Sequence, residues 1–560
     1  MTDSQRDLSG LQEFASQGVT RRGFLSGAMA MGFSAAFASQ FLAACSSAPV
    51  TPADSASAPA SPSAPAAPRV GGIFREGYDR ELTAPDPVQN AWADPTFNAF
   101  YEGLLIRNPE GSPVPMLASD FTSGPTGWTF TLRDGLKFHS GAAVTPAVVV
   151  EDFKLFSDPK SGQNFPWWTP ITSIAADGNV ITCSTKSDYR AFQETITTEY
   201  AYILNPAARA KAGAEYGASV IDGTGPFTLD AFTPQGCTAS RWNDYPGSIT
   251  PFFQNKGKAY LDGIKWVPIT QGSQRANELE SGNVDAVKNA PPQDVDRLKA
   301  NPDLVVVEFQ ELSNFFLSVN LGNTKLGFDD IKVRQAISAA IDRQGLVDAV
   351  YLGHAAATYG PVPPGFKWYN PAVEPMNAFD PEKAATLLDS AGWKLGADGI
   401  REKNGTKLSF TTLQMANSTE EAVMQAVVQM LKKVGIEMKV EALEGAAFFP
   451  KLTNTLDSYA FKWLWSGVVD VTALFVQFYQ PTDAPGAKTT LEAYAPWEDA
   501  SSEDQLKSAA ENYQAVFAEQ LALIPLITPN TVWASNKSVV GWTPNQANLY
   551  PFYNDVWLSV

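Results

Sequence analysis

The alternation of apolar and polar positions predicts a strand–helix–strand unit over residues 407–442. Residues 407–413 alternate as a strand, and Ser418 to Glu421 reads as a capping box that starts a helix. An apolar stripe at helical spacing follows, formed by Met424, Val427, Val428, Leu431 and Val434. Gly435 supplies a left-handed helix end, and a second alternating strand runs to Ala442. Such a unit favours parallel strands joined by a right-handed crossover, which predicts an α/β lobe.

Further helices are predicted by their end signals. One begins at the cap Asp380 and stops at Gly392. Another runs from Asp330 to about Tyr351 with a break near Gly345, and a third spans 502–521.

The segment between residues 105 and 270 has a different pattern, of short alternating strands. Residues 128–132 alternate as one strand, and residues 171–184 form a hairpin around Asp177-Gly178. The body is therefore predicted to be α/β with a β-rich part.

The first 69 residues differ from this body and indicate a targeting segment. Arg21 and Arg22 precede an uncharged stretch of residues 23–44, which resembles a twin-arginine export signal. An uncharged stretch of this length also suggests a membrane span, but its many small residues weaken that interpretation. The stretch ends in Leu42-Ala43-Ala44-Cys45, which resembles a lipoprotein cleavage site with Cys45 as the lipid-modified residue. A tether rich in Pro, Ala and Ser follows.

Composition and charge exclude several classes of function. The 41 Lys and Arg against 59 Asp and Glu give a formal net charge of −18, which argues against a nucleic-acid partner. Two His and three Cys leave too few ligands for a zinc site, and no metal or cofactor is expected. Phosphate-binding, zincin and nucleophile-elbow motifs are missing from the sequence. Cys183 and Cys237 either form a disulfide or remain two buried thiols.

Several motifs in a fixed order resemble the family 5 extracellular solute-binding proteins, the peptide- and nickel-binding components of ABC importers. The resemblance covers about Gly71 to the C-terminus. The motifs are YEGLL (101–105), PMLAS (115–119), WTFTLRDGLKFHSG (128–141), GTGPFTL (223–229), ESGNVD (280–285), VRQAISAAIDR (333–343), FDPEKAATLLDSAGW (379–393) and VWLS (556–559).

The resemblance implies an α/β, two-lobed periplasmic binding protein of type II, similar to cluster C, with an extra β-rich subdomain in the first lobe. Two strands near residues 311–319 and 523–528 would join the lobes. The implied segments are a signal peptide (1–44), lipidated Cys and tether (45–69), the start of lobe I (70–103), the β-rich subdomain (104–223), lobe I continued (224–310), lobe II (311–524) and a return to lobe I (525–560).

The resemblance also implies ligand contacts at Glu102 and Trp465. The relatives carry an amine-binding Asp three residues after that Trp, where this chain has Val468, and Asp470 lies two residues further on. Aromatic and polar residues placed near the cleft complete the candidate set, which is Glu102, Trp92, Asn314, Phe315, Trp463, Trp465 and Asp470.

The predicted function is that of a monomeric receptor outside the cytoplasm, held to a bacterial membrane by lipid. It captures an oligopeptide or another mid-sized solute by closure of its lobes and delivers it to an ABC permease. Three alternatives stay open, and one of them is a ligand sensor of the same fold for a signalling partner. Another is an oligosaccharide- or glycoside-binding receptor of the same fold. The third is a secreted carbohydrate-active enzyme, which would need two opposed carboxylates in the cleft.

Overall fold

The computed structural model describes residues 67–89, 95–124, 126–161, 168–185, 192–443, 445–448, 451–452, 456–464, 470–500, 502–548 and 550–559. Arg21 and Arg22 of the predicted export signal, and Cys45, which is predicted to carry the lipid, lie outside these residues. None of the helices in the described part combines the length and apolar character that crossing a bilayer requires.

The strands of the described part are numbered in chain order. They are β1 (Ile73–Tyr78), β2 (Leu105–Arg107), β3 (Pro113–Pro115), β4 (Ala118–Gly124), β5 (Gly127–Leu132), β6 (Ile171–Asp177), β7 (Val180–Thr185), β8 (Phe227–Thr233), β9 (Gly236–Arg241), β10 (Gly263–Pro268), β11 (Ala286–Lys288), β12 (Leu304–Gln310), β13 (Ser313–Val319), β14 (Ala355–Ala357), β15 (Lys394–Leu395), β16 (Arg401–Lys403), β17 (Thr406–Lys407), β18 (Ser409–Met415), β19 (Glu437–Leu443), β20 (Ser458–Leu464), β21 (Ile524–Asn536), β22 (Val539–Val540) and β23 (Trp557–Leu558).

The α-helices of the same part are numbered likewise. They are α1 (Phe97–Phe100), α2 (Pro146–Ser157), α3 (Phe192–Ile196), α4 (Pro206–Ala212), α5 (Gly272–Glu280), α6 (Pro292–Ala300), α7 (Ile331–Ala339), α8 (Arg343–Val350), α9 (Pro381–Ser390), α10 (Ser418–Lys433), α11 (Gly445–Phe448), α12 (Asp470–Tyr479), α13 (Pro485–Glu498) and α14 (Glu503–Gln520).

Twelve strands of the described residues form one large mixed sheet. Its order is β19-β18-β20-β13-β21-β11-β1-β10-β9-β8, and β12 and β14 both pair with β21. A separate four-stranded antiparallel sheet has the order β4-β5-β7-β6 and contains the hairpin predicted around Asp177-Gly178. The α/β class and the β-rich part are both confirmed.

The strand–helix–strand unit predicted from periodicity is present as β18, α10 and β19. Its two strands are parallel and pair from Ser409 with Glu437 to Met415 with Leu443. Gly435 has a φ of +86°, a left-handed conformation that glycine adopts without steric cost. The cap was placed one residue too late, because Asn417 rather than Ser418 accepts the first free amides, from Thr419 at 3.1 Å and Glu420 at 3.2 Å.

The helix predicted from Asp330 to Tyr351 is two helices, α7 and α8. Its break lies at residues 340–342 and not at Gly345. The carboxylate of Asp342 accepts the backbone N–H of Gly345 at 2.9 Å, so Asp342 caps a new helix that contains Gly345 in its first turn. The helices predicted after Asp380 and Ser502 are confirmed, with both residues as side-chain caps.

The buried apolar side chains fall into two main groups, and each group packs against one half of β21. The first core draws on residues 74–304 and 532–556 and includes Trp266 and Tyr553. The second core draws on residues 315–527 and includes Trp393 and Tyr513. The last residues return beside the first described ones, since the guanidinium of Arg69 donates to the carbonyl of Ser559 at 3.2 Å.

Strand β21 contributes to both groups. Its first half pairs with β13 and β14, from Ile524 to Pro529, and its second half pairs with β11 and β12, from Asn530 to Asn536. The direct link from β12 to β13 is the second connection between the two cores, at Glu311 and Leu312.

The disulfide considered for Cys183 and Cys237 is not formed. Cys183 lies in β7 of the four-stranded sheet and Cys237 in β9 of the large sheet, and both side chains are buried. The alternative of two buried thiols therefore describes the structure. Burial without a compensating charge raises the pKa of the Cys183 thiol to about 12, which keeps it protonated and unreactive.

The cap of α10 is testable by paired substitutions. Asn417→Ala is expected to lower the free energy of unfolding by about 1 kcal/mol, because two amides of the first turn lose their acceptor. Ser418→Ala is the control and is expected to change it by at most a few tenths of a kcal/mol, since Ser418 is already the first helical residue. Urea titrations followed by circular dichroism measure both, and a larger effect at Ser418 would contradict the assignment.

Candidate functional site

The carboxyl ends of parallel strands from the two cores carry charged side chains. Parallel strands β1 and β11 of the first core end at Tyr78 and Lys288, and Asp79 and Asn289 follow them. In the second core β18 ends at Met415, and Glu420 lies in the first turn of α10 beyond it. Ligands of α/β proteins bind at such strand ends, because loops and helix N-termini converge there.

Asp79 lies among positively charged side chains at the first of these edges. Its carboxylate accepts a hydrogen bond from the side-chain amide of Asn289. Burial would raise the pKa of Asp79, but three neighbouring cations and this hydrogen bond lower it to about 2. The cations are, in order of effect, Lys288, Arg275 and Arg80. Asp79 is therefore ionised at neutral pH.

Lys462 lies between two carboxylates at the second edge. Its ammonium lies 3.2 Å from Oε2 of Glu311 and 3.4 Å from Oε1 of Glu420. Burial alone would lower the pKa of Lys462, but these two carboxylates outweigh it and hold the pKa above its usual value. Burial raises the pKa of Glu420. The hydroxyl of Ser313 also donates to Glu311, at 2.8 Å.

The two charged groups lie at neighbouring strand ends. The charge of Asp79, from the first core, raises the pKa of both Lys462 and Glu420 in the second. Contacts along β21 link the two groups. The N–H of Glu311, which contacts Lys462, donates to the carbonyl of Pro529 at 2.9 Å, and the hydroxyl of Thr531 donates at 2.9 Å to Asn289, which binds Asp79. These strand ends therefore form one polar site, which is called the interstrand site below.

Asn314 pairs with Trp463 of β20, while its neighbour Phe315 pairs with Lys462, so Asn314 takes the sheet face opposite to that of Lys462. Its amide nitrogen donates to the carbonyls of Gly360 and Pro361, at 3.1 and 3.4 Å. Its buried Oδ1 accepts no hydrogen bond from the described residues. An unpaired buried acceptor costs about 1–3 kcal/mol.

The other predicted contacts have different outcomes. The ring of Phe315 is fully buried in the second core, on the face of β13 opposite to that of Asn314. Its cross-strand partner is Lys462, so these two side chains share one face of the sheet. Trp92, Trp465 and Val468 lie outside the described residues. Trp463 is in β20 and Asp470 begins α12, but their side chains are not among those described.

Glu102 is buried in the first core. The hydroxyl of Tyr245 donates to its Oε1 at 2.6 Å, and its backbone N–H donates to the hydroxyl of Thr224 at 3.1 Å. Burial raises the pKa of Glu102 to about 7, because the lost solvation outweighs the hydrogen bond from Tyr245 and the charge of Arg133. The contacts of the carboxyl group are internal ones.

The residues of the interstrand site were not predicted as a group. Glu420 was assigned only to a helix start, and Asp79, Lys288 and Lys462 were not singled out. The signal that could have found two of them is a charged residue at the end of an apolar strand, as in Val287-Lys288 and Tyr78-Asp79. Within the described residues, no group of three or more His, Cys, Asp or Glu side chains is placed to hold a metal ion.

A surface cavity of about 360 Å³ lies at the opposite, amino end of β18. Its lining includes Asn323, Lys325 and Asp457. It is open to solvent and lacks the convergence of strand ends that defines the interstrand site.

Comparison with known proteins decides the family. The model described as bacterial extracellular solute-binding proteins, family 5 Middle, matches residues 112–486, more than half of the chain. The chain belongs to the family 5 solute-binding proteins. The resemblance read from the motifs is thus confirmed.

Curated relatives of this family 5 protein include the glutathione-binding protein GsiB of Escherichia coli, from strain K12 and from O1:K1. Each is 29% identical over 352 residues, which is 62% of this chain. The matched region spans 64% of the length of these relatives.

Solved structures show the fold of this family 5 protein. The oligopeptide-binding protein AppA from Bacillus subtilis, in complex with a nonapeptide, superposes with a TM-score of 0.76 at 22% identity, covering 88% of this chain and 100% of that one. DppA from Helicobacter pylori, in complex with the peptide STSA, has a TM-score of 0.74 at 20% identity, covering 88% and 99%. The two-lobed periplasmic binding protein fold is confirmed.

The raised pKa of Glu102 predicts a pH-dependent stability. Between about pH 4.3, the value of an unfolded glutamate, and about 7, the folded chain keeps a proton that the unfolded chain has released. The free energy of unfolding therefore falls as pH rises through this window. Glu102→Gln keeps an acceptor for Tyr245 and is expected to remove this part of the fall, as measured by urea titrations at pH 5 and 8.

The exposed Glu110 provides the control for this measurement. Glu110→Gln is expected to leave the difference between pH 5 and pH 8 as it is in the wild type. If Glu102→Gln also leaves that difference unchanged, the burial argument for Glu102 is wrong.

Proposed function

We propose that this chain is the extracytoplasmic solute-binding receptor of an ABC importer and that it captures an oligopeptide at the interstrand site. The observation that carries the proposal is that the strand ends of two cores that share β21 each hold a cluster of buried charges. Asp79 and Asn289 lie in one, and Lys462 and Glu420 in the other. Membership of family 5 supports it, as does the two-lobed fold.

The two cores correspond to the two lobes in this proposal. Lobe I comprises residues 70–310 and 525–560, with residues 104–223 as its β-rich subdomain, and lobe II comprises residues 311–524. Closure is driven by a ligand that touches both edges and so binds the closed state better. A difference in affinity of about 5.5 kcal/mol moves the closed population from 1% to 99%. The closed, monomeric receptor then docks on the permease.

An oligopeptide suits the site because both of its edges are charged and of mixed sign. Asp79 lies with Lys288 and Arg80 at the first edge, so that edge carries both signs of charge. Lys462 lies with Glu311 and Glu420 at the second, so ligand groups of either charge find partners. The relatives named for glutathione and for peptides support this class of ligand. Binding without chemistry is proposed, so the ligand leaves unaltered.

A ligand screen tests the receptor function. Thermal unfolding of the full-length chain is measured with di- to pentapeptides and with oligosaccharides. A ligand at one hundred times its Kd stabilises the folded state by about 2.7 kcal/mol, so a peptide that binds is expected to raise the melting temperature by a few degrees. The stabilising peptide is then recovered and its mass is measured.

Three outcomes of this screen are decisive. Stabilisation by peptides with unchanged mass supports the proposal. Stabilisation by oligosaccharides alone shows that the ligand is an oligosaccharide and not a peptide. A cleaved product shows that the chain is an enzyme.

Residues 1–69 are proposed to export and anchor the receptor. Arg21 and Arg22 direct export of the folded chain, Cys45 carries the lipid, and the tether holds the body outside the cytoplasm. Two acyl chains or more give stable anchoring where one does not.

Substitution of Cys45 tests this anchor in cells. Cys45→Ser is expected to move the protein from the membrane fraction to the soluble fraction outside the cytoplasm, because the acylated thiol is lost. Cys183→Ser is the matched control and is expected to remain with the membrane, since that thiol is buried in the body. Replacing Arg21 and Arg22 with lysine is expected to retain the chain in the cytoplasm. Membrane association of Cys45→Ser would contradict the lipid anchor.

A further inference from the structure

We propose that Lys288 binds an anionic group of the ligand, and that the ligand therefore carries a carboxylate. This inference rests on the receptor function proposed above and names the chemistry that one edge of the interstrand site selects.

The position of Lys288 places its ammonium at a strand end. Lys288 is the last residue of β11, opposite Trp533 of β21, and the neighbouring strand β1 ends at Tyr78. The preceding pair in register is Gly77 with Val287. The side chain therefore lies where the two parallel strands of the first core end.

Three aromatic rings surround this ammonium. Its Nζ lies 4.5 Å from the ring centroid of Tyr550, 5.5 Å from that of Trp533 and 5.8 Å from that of Tyr78. Lys288 is 3% exposed, and the rings are equally buried. Ring faces attract a cation, which explains how a lysine is tolerated in this position.

The ammonium has unused hydrogen-bonding capacity. It carries three N–H donors, yet within the described residues the structure gives it no hydrogen-bond acceptor and no carboxylate within 4 Å. The ring faces stabilise the positive charge of the ammonium, but they do not replace oxygen acceptors for its N–H groups. A ligand oxygen that accepts from these donors would form a charge-assisted hydrogen bond, which is stronger than a neutral one.

The charge balance around Lys288 favours an anion. Asp79 is the carboxylate whose charge acts together with that of Lys288, and its hydrogen bond comes from Asn289. Arg275 and Arg80 surround the same carboxylate. Three cations around one anion leave this edge positive, and an anionic group entering from solvent would restore neutrality.

The two arginines are less available than Lys288. Arg275 directs its guanidinium at backbone carbonyls, including those of Ile269 at 2.5 Å and Lys288 at 2.8 Å. Arg80 donates to the hydroxyl of Tyr550 at 3.3 Å. Lys288 is therefore the cation whose donors are left for a ligand.

The test uses paired peptides that differ only at the carboxyl terminus. Tri- and pentapeptides without acidic side chains are synthesised as the free acid and as the amide, and calorimetric titration of the full-length chain measures the Kd of each. The wild type is expected to bind the acids about 10- to 100-fold more tightly than the amides, the range for one charge-assisted hydrogen bond.

Lys288→Met removes the charge and keeps most of the side-chain volume. It is expected to bind acids and amides alike, with the affinity of the wild type for the amides, which also shows that the site is intact. Lys288→Arg keeps the charge and is expected to retain a preference for the acids. Lys325→Met, at the distant surface cavity, is the control and is expected to retain the full preference.

The possible failures are distinguishable. Equal affinity of the wild type for acids and amides, or an acid preference that survives in Lys288→Met, overturns the role of Lys288 and leaves the receptor proposal standing. If the wild type binds no peptide in either form, the proposed peptide receptor fails, and the inference about Lys288 fails with it.

Discussion

The architecture depends on a single strand, β21, that pairs with strands of both cores. Strand β21 is thirteen residues long and exchanges its partners near Pro529, from β13 and β14 to β11 and β12. Pro529 has no N–H to donate, but its carbonyl accepts the backbone N–H of Glu311 at 2.9 Å. The two connections between the cores are thus tied together at one point. Relative motion of the cores must be absorbed by the few residues around this point.

Because the backbone ladder fixes the strand ends, it also fixes the electrostatics of the interstrand site. The ends of β1 and β11 bring Asp79 and Lys288 together, and β20 brings Lys462 to Glu311 and Glu420. Lys462 has two carboxylates beside it and Asp79 is surrounded by cations, which offsets the cost of desolvating these two groups. The site can therefore keep its charged groups in place before a ligand arrives, and a ligand does not have to organise them.

Local structure was largely predictable, since its signals lie within a few residues. The unit of β18, α10 and β19 follows from periodicity and from Gly435, and the Asp380 cap from its own side chain. The errors were also local. Asn417 and Ser418 are both good caps, and only the geometry distinguishes them. Asp342 restarts a helix within an apolar periodicity that continues through the break.

The site was less predictable, because it is built from distant segments. Tyr78, Trp533 and Tyr550 meet around Lys288 only after β1, β11 and β21 have paired, and no spacing in the chain announces that. The candidate residues lie in different settings. Asn314 lies on the sheet face opposite to that of Lys462, and Phe315 and Glu102 are buried in the interior. A motif predicts that a residue matters without saying whether it packs or binds.

The contact between Arg69 and Ser559 has a practical consequence for engineering the chain. It brings two distant segments of the sequence together at the surface of the first core. A short loop could join them, and new ends could be opened in an exposed turn such as Asn404-Gly405 of the second core. Such a circular permutant would leave β21 uninterrupted. A fluorescent reporter fused to the new ends would lie on the second core.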